Sequence, residues 1–447
     1  MLVTDVLWFV RGGADEVEDA RVGVLVPAVA AGPVFTAPPV VLNPDDDTAA
    51  PPTEAGLTTA LTSLLADHRL GSSVAVSVRD AETGTALLSQ NADTPVTPAS
   101  TTKAVTASGV LLAYGPAYRL TTKVVQGAEP GEIVLIGAGD PTLAFTEKQT
   151  YPGSSRLDTL AGAVRTALKD TKVTKVVVDS TLFEGSGVGP GWDSDIISGN
   201  YAAPVNALTA DGGRVQPVAD HRGVRATNPD LFVGQRFAEL LGAGDADVER
   251  GTAPDSAAPL AELKSPPLSH IVDAMLTESD NVIAESMLRL IAVKRGLPAT
   301  FAGGTQALKA VLDEAGIDTA GFGLVDGSGL SRNDRLTPNL LTSLLTAAVG
   351  NDHPQLRSLL AGLPVASYSG TLADRFDGTS ATAGVGLVRA KTGTLSGVSS
   401  LAGMTITLDG RILTFAAVAN GVPDGGTEAA EAALDQIAAT LARCGCR

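Results

Sequence analysis

The stretch Pro98-Ala99-Ser100-Thr101-Thr102-Lys103 constrains this chain more than any other. Ser100 and Lys103 stand three apart, and the residues that follow (Lys103 to Ala107, then Val110, Leu111 and Leu112) favour a helix that stops at Gly115-Pro116. Positions i and i+3 share one helix face, with Cβ atoms about 5–6 Å apart. The spacing therefore sets an amine beside a hydroxyl. A serine hydroxyl is a poor nucleophile until a base takes its proton, and a buried lysine with a lowered pKa is such a base. Ser100 also falls in the first turn, where free backbone N–H groups and the positive helix end favour negative charge. The same spacing suits a plain helix start with an exposed lysine, so the rest of the chain must decide.

The 447 residues are enough for two or three domains at about 150 each. Hydrophobic residues make up 44% and charged residues 18%, which supports a large core and excludes global disorder. Aromatics are only 4%, so that core must be built from Ala, Val and Leu. A net charge of −17 argues against a nucleic-acid partner and against a polybasic membrane surface. The histidines (His68, His221, His270 and His353) are scattered, and Cys444 and Cys446 lie near no carboxylate cluster. No metal centre and no cofactor are expected. A Cys444–Cys446 disulfide would close a very small ring, and whether it forms is left open.

Residues 1–55 do not read as a folded domain. Val22 to Pro44 carries no charge but holds five prolines, and Asp15, Glu16, Glu18 and Asp19 precede it where basic residues belong in an export segment. It is either an export or membrane-anchoring remnant with a Pro-rich linker, or a disordered tail. Folded structure is expected from near Gly56, with a helix carrying Leu57, Leu61, Leu64 and Leu65, then a half-buried strand on Val74, Val76 and Val78. Residues 120–262 read as an inserted α+β domain. It has strands at Leu120–Val125, Ile133–Ile136 and Lys175–Val178 and a helix on Leu157, Leu160, Val164 and Leu168. An irregular tract follows from Gly185 to Arg250, with one strand-like run near Val215. Helices resume at Leu268, with Ser279-Asp280-Asn281 between two apolar halves. Thr337-Pro338 is a helix start, and Asp409-Gly410 a tight hairpin between the last two strands.

Three short motifs thus occur in order: Ser100-Thr-Thr-Lys103, Ser279-Asp280-Asn281 and Lys391-Thr392-Gly393. This trio is the signature of penicillin-binding proteins and class A β-lactamases. Further matching stretches are Gly139-Asp140-Pro141-Thr142-Leu143, Asp326-Gly327-Ser328-Gly329-Leu330-Ser331-Arg332 and Val388 to Thr394. Over roughly residues 56–443 the chain resembles the low-molecular-mass class C penicillin-binding proteins, the S13 D-alanyl-D-alanine carboxypeptidases.

The resemblance implies a transpeptidase-like fold of mixed α/β (α+β) class. An antiparallel sheet and a helical subdomain (56–119 and 263–443) would form the catalytic domain, interrupted by the insert at 120–262. It implies an exported serine-type D-Ala-D-Ala carboxypeptidase, with DD-endopeptidase activity as an extension. Its partners would be peptidoglycan stem peptides as substrate and β-lactams as covalent inhibitors. Ser100 would be the nucleophile, Lys103 its base, Ser279 a proton relay and Asn281 a holder of the substrate amide. Lys391, Thr392, Gly393 and Thr394 would read the terminal carboxylate, with the backbone N–H groups of Ser100 and Thr394 as oxyanion hole. Asp140 and Arg332 would read a diamino-acid side chain; alternatively Asp140 is a turn residue and Arg332 pairs with Asp326 or Asp334. His270 and Trp192 are expected to be structural, and Glu278 and Glu285 solvated or ion-paired. A β-lactamase on the same fold, and a scaffold with a dead site, are the competing readings.

Overall fold

A computed structural model describes residues 49–218 and 223–446. The expected N-terminal segment therefore lies almost entirely outside the described residues. Among those described, no helix is long and apolar enough to cross a membrane.

Helix α1 (Glu54–Leu65) opens where Thr53 accepts a hydrogen bond from Gly56 N, and it buries Leu57, Leu61 and Leu65. Strands β1 (Ser73–Asp80) and β2 (Ala86–Gln90) follow, then α2 (Thr102–Tyr114), which ends at Gly115. Next come β3 (Thr121–Gln126), β4 (Glu132–Ile136), α3 (Leu157–Leu168), β5 (Lys175–Asp179), α4 (Pro229–Leu241), β6 (Asp247–Arg250) and β7 (Pro259–Lys264). A run of helices succeeds them: α5 (Leu268–Thr277), α6 (Asn281–Arg295), α7 (Phe301–Glu314), α8 (Pro338–Val349) and α9 (Arg357–Gly362). The chain closes with β8 (Val388–Leu395), β9 (Val398–Ile406), β10 (Ile412–Asn420) and α10 (Thr427–Arg443). Thr337 caps α8 by accepting from Leu340 N, with Pro338 in the first turn. Gly410, at φ 91°, turns the β9–β10 hairpin.

The first sheet is antiparallel throughout, in the order β2-β1-β10-β9-β8. Strand β1 was expected to be half-buried, but both its faces are covered. Val74, Val76 and Val78 pack with Leu57, Leu61, Leu434 and Ile437 of α1 and α10. On the other face Ser77 Oγ bonds to Asn339 Oδ1 at 2.8 Å and to Thr342 Oγ1 at 2.9 Å on α8. The alternation marks two different buried faces rather than one face in water.

The helical layer shares one core, built on Val105 and Leu111 of α2, Met275 of α5, Ile283 and Leu288 of α6, Leu308 of α7 and Leu345 of α8. Ala402 and Ala416 of β9 and β10 reach into it, which fixes the helices to the sheet. Small residues at these crossings let the layers approach closely.

The second sheet is built wholly from the chain between α2 and α5, in the order β6-β5-β4-β3-β7. Strands β4, β5 and β6 are parallel, and β3 is antiparallel to both its neighbours. Helices α3 and α4 cover one face, with Leu160, Val164, Val233 and Phe237 on Val124, Leu135, Val176 and Val178. The tract from Gly185 to Arg250 departs from expectation. Val215 lies in no strand, forming only a local bond to Val224 O, whereas α4 and β6 fall inside the tract. Gly234 obscured the helix, yet a Cβ there would strike Val178 and Val248, so the glycine is what lets α4 sit on the sheet. The sequence of β6 is polar, and its order comes from parallel pairing with β5, a tertiary effect.

Cys444 and Cys446 are paired as a disulfide, and Cys446 O accepts from Thr53 N at 2.9 Å. The start of α1 is thereby tied to the end of α10.

Candidate active site

Ser100 occupies a single 3-10 turn, Ala99–Thr101, that runs directly into α2. The turn is gripped from three sides. Thr101 Oγ1 donates to Pro98 O at 2.7 Å, and Ser400 Oγ of β9 donates to the same carbonyl at 2.7 Å. Gly329, at φ 82°, lies against Ala99 O so closely that a Cβ there would overlap it. Only glycine satisfies both the torsion and the contact.

Lys103 is fully buried on α2. Its Nζ lies 2.8 Å from Ser100 Oγ, 2.7 Å from Asn281 Oδ1 and 2.7 Å from Ser328 O. The Asn281 and Ser328 oxygens can only accept, so they take two N–H bonds from the amine. A neutral amine has two N–H groups and one lone pair. The third direction, toward Ser100, is then the lone pair, facing the hydroxyl proton. Burial lowers the Lys103 pKa from 10.5 to about 8, against the opposing pull of Asp326, Glu285, Asp280 and Asp334. About a tenth of the amine is therefore neutral at pH 7, and more as pH rises.

Ser279, Asp280 and Asn281 form the break between α5 and α6. Ser279 sits at φ 54°, a left-handed torsion unusual for serine. The turn is held by Asp280, which caps α6 by accepting from Val282 N at 2.9 Å and Ile283 N at 3.1 Å. The second Asp280 oxygen accepts from Tyr151 Oη at 2.9 Å, Arg214 Nη2 at 3.0 Å and Arg225 Nη2 at 3.2 Å. Burial alone would raise this carboxyl, but the Arg225 and Arg214 charges and the α6 N–H groups hold it far below the usual range. Asn281 uses both ends of its amide: Oδ1 meets Lys103, and Nδ2 donates to Tyr201 O at 2.9 Å. It was expected to hold a substrate amide. Its bond to Lys103 adds a second task, orienting the lysine.

Strand β8 brings the third motif. Lys391 is buried, and its Nζ donates to Thr392 O at 2.9 Å. Burial, then the nearby Lys103 charge, push its pKa well down. A Cβ on Gly393 would fall 2.8 Å from Pro98 O and 2.9 Å from Ser100 N, so this glycine lets the strand edge touch the nucleophile's own backbone. Thr392 Oγ1 pairs with Thr371 Oγ1 at 2.7 Å, and Thr394 Oγ1 donates to Glu431 Oε1 at 2.9 Å. Ser100, Lys103, Asn281, Lys391 and Gly393 thus converge, with Ser279 carried on the turn that delivers Asn281.

The two diamino-acid candidates are placed differently. Asp140 is buried in the turn after β4. Its Oδ1 accepts from Thr142 N at 2.9 Å and from the Thr142 hydroxyl at 2.5 Å, while burial raises its pKa. Its Oδ2 is buried without a hydrogen-bond partner. Arg332 pairs neither with Asp326 nor with Asp334. Its Nε and Nη2 reach Asp193 at 2.8–2.9 Å, and its Nη1 donates to Ser396 O at 3.0 Å in the β8–β9 turn. Asp326 is already occupied, accepting from Gly329 N, Ser331 N and Trp192 Nε1 at 2.7–2.8 Å. His270 Nε2 lies 2.6 Å from Pro152 O, a structural contact.

Glu285 is neither solvated nor paired with a basic side chain. It is fully buried and accepts from Gly327 N and Ser328 N, both at 2.8 Å. Sequence reasoning missed it, and it missed Ser328 as a partner of Lys103. A usable signal was present: Glu285 follows Asn281 by four positions on one helix, so both face the same way.

The D-Ala-D-Ala carboxypeptidase 3 (S13) family model matches residues 57–223 and 220–442. Carboxypeptidase Rv3627c of Mycobacterium tuberculosis is 40% identical over 432 residues, covering 95% of this chain and 92% of the relative. Carboxypeptidase DacB of Mycolicibacterium smegmatis is 41% identical over 423 residues, covering 93% and 90%. The crystal structure of penicillin binding protein 4 (dacB) from Haemophilus influenzae superposes with a TM-score of 0.70 at 23% identity, covering 88% of this chain and 99% of that one. That likeness confirms the mixed α+β penicillin-binding fold. With its family model spanning the sheet, the helical layer and the segment between them, this chain belongs to the D-Ala-D-Ala carboxypeptidase 3 (S13) family.

Proposed function

We propose that this protein is a serine-type D-Ala-D-Ala carboxypeptidase that trims peptidoglycan stem peptides through an acyl-enzyme on Ser100. The observation that carries the reading is the Lys103 amine, 2.8 Å from Ser100 Oγ with two pure acceptors fixing its other bonds. Ser100 Oγ attacks the carbonyl carbon of the terminal peptide bond while Lys103 takes its proton. The carbonyl oxygen becomes an oxyanion, bound by the backbone N–H groups of Ser100 and Thr394. As the C–N bond breaks, Ser279 gives its hydroxyl proton to the departing D-alanine nitrogen and regains one from the Lys103 ammonium, which returns to the neutral amine. Water then attacks the ester, releasing the shortened peptide and restoring the Ser100 hydroxyl.

Lys391 binds the substrate's terminal carboxylate, whose charge offsets the cost of keeping a buried ammonium. Of the paired Thr371 and Thr392 hydroxyls, one proton remains to donate to that carboxylate. Asp140, with a buried oxygen lacking a partner, suits the ammonium of the stem's diamino acid, and Arg332 suits its carboxylate. The structures and relatives known by name include a penicillin binding protein 4 complexed with a β-lactam, and β-lactams are accordingly the proposed covalent inhibitors here. Its substrate lies outside the cytoplasmic membrane, so the protein is proposed to be exported.

The test is release of D-alanine from a pentapeptide ending in D-Ala-D-Ala. The wild-type protein should release it and Ser100→Ala should not. Equal release by both would refute the assignment.

A further inference from the structure

Beneath the amine–hydroxyl pair lies a layer of buried carboxylates that the reaction itself does not use. Glu285 projects from α6 one turn after Asn281 and clamps two consecutive peptide N–H groups, Gly327 N on Oε2 and Ser328 N on Oε1, both at 2.8 Å. Ser328 also carries, in its following peptide, the carbonyl that accepts from Lys103 Nζ at 2.7 Å; the N–H of that peptide, Gly329 N, donates to Asp326 Oδ1 at 2.8 Å. From the α2 side, Thr106 Oγ1 donates to Gly327 O at 2.7 Å. Glu285 and Thr106 therefore fix the two peptides that lead into Ser328, Asp326 fixes the one that follows, and the Ser328 carbonyl is held from both sides.

We propose that Glu285 is a positioning residue for acylation: by fixing the two peptides that lead into Ser328 it sets, together with Asp326 on the Gly329 N–H, the direction of the Ser328 carbonyl toward Lys103, and so points the lysine's lone pair at the Ser100 hydroxyl. The inference rests on the acyl-enzyme reading given above. Asn281 and Glu285 form a pair on one helix face. The first holds Lys103 directly; the second holds it through a peptide. Two N–H bonds, one on each oxygen, use the Glu285 carboxyl as an acceptor on both atoms and partly oppose the burial and the Asp326 charge that push its pKa up. A glutamine would aim its own N–H₂ at one of these donors. Other charged groups face this one: Asp326 and Asp334 from the 325–334 loop, Arg289 from α6 itself, and Lys103 from α2. Asp326 and Asp334 hold the same loop from further along, Asp326 through Gly329 N and Ser331 N, and Asp334 through Val325 N at 2.7 Å. Neither touches the 327 or 328 N–H groups in the hydrogen bonds described.

The experiment compares wild type and Glu285→Gln in the rate of Ser100 acylation by a fluorescent penicillin across pH. The variant should acylate about 10- to 100-fold more slowly, since a small misdirection of the base is costly, while its encounter affinity for the penicillin stays unchanged. A purely structural role would lower the encounter affinity and the acylation rate together. A wild-type acylation rate in the variant, or an encounter affinity that falls along with the rate, would overturn the proposal. Should the variant not fold, the wild-type protein labelled with ¹⁵N-glycine and ¹⁵N-serine supplies the second arm. The Gly327 and Ser328 amide protons should resonate downfield and exchange slowly, as donors to a buried carboxylate; ordinary, fast-exchanging amides there would overturn the proposal. Failure of the wild type to acylate at all would instead sink the Ser100 reading, and the amide measurement separates the two failures.

Discussion

Asn281 Oδ1 stands 2.7 Å from Lys103 Nζ although 178 positions separate the two residues in the chain. The contact joins the first motif to the second and makes the base a shared product of α2 and α6. Because Asn281 also donates to Tyr201 O, the segment that carries the second sheet takes part in aiming the base.

The base sets the pH response. Lys103 must be neutral to accept a proton, and its pKa is lowered to about 8. Acylation should therefore rise with pH through that value and fall about tenfold per unit well below it. Lys103→Ala should lose about 10²–10⁴-fold in acylation rate. Stopped-flow penicillin binding checks both; a flat profile from pH 6 to 9 (roughly the span over which a base near 8 titrates) would contradict the role.

The Asp280 cluster should behave as a structural ion group. Asp280→Asn keeps the helix cap but removes the charge that Arg214 and Arg225 share. Breaking such a buried group costs about 3–5 kcal/mol, measurable by chemical denaturation. The sign with pH follows from the depressed pKa. The stabilisation is fully present above the ordinary carboxylate range and is lost only as pH falls through the folded-state value. The stability difference between wild type and variant should thus stay constant across neutral pH.

Gly393→Ala should separate activity from stability. The added methyl meets Pro98 O and Ser100 N at under 3.0 Å, pushing the strand edge from the nucleophile. Acylation should fall by about 10²-fold or more. Thr337→Ala is the matching control: it removes the α8 cap, costs about 1 kcal/mol and should leave acylation unchanged.

Arg332→Ala should barely change stability, by no more than about 1 kcal/mol, because its pair with Asp193 is 41% and 40% exposed. If Arg332 reads the stem's diamino acid, KM for the stem peptide rises while acylation by penicillin, which has no stem, stays constant. An unchanged KM would assign Arg332 to holding the Asp193 loop against the β8–β9 turn alone.

Much of this is legible in the sequence alone. Gly115, Thr337-Pro338 and Asp409-Gly410 are local signals, and their elements begin and end where backbone chemistry dictates. The motif residues were legible because their types and order are unusual together. What escaped was tertiary. Helix α4 was hidden by Gly234, whose reason is a close approach to Val178 and Val248. The partner of Arg332 lies 139 positions away at Asp193. Glu285 looked like a surface acid because nothing local announces that two backbone N–H groups 42 and 43 positions on will meet it.

The most direct measurement is mass spectrometry of the intact protein, then its peptides, after exposure to penicillin. The account predicts a single long-lived adduct of one penicillin per chain, mapped to Ser100 and absent from Ser100→Ala. An adduct elsewhere, no adduct, or rapid turnover of the penicillin without an adduct would contradict it.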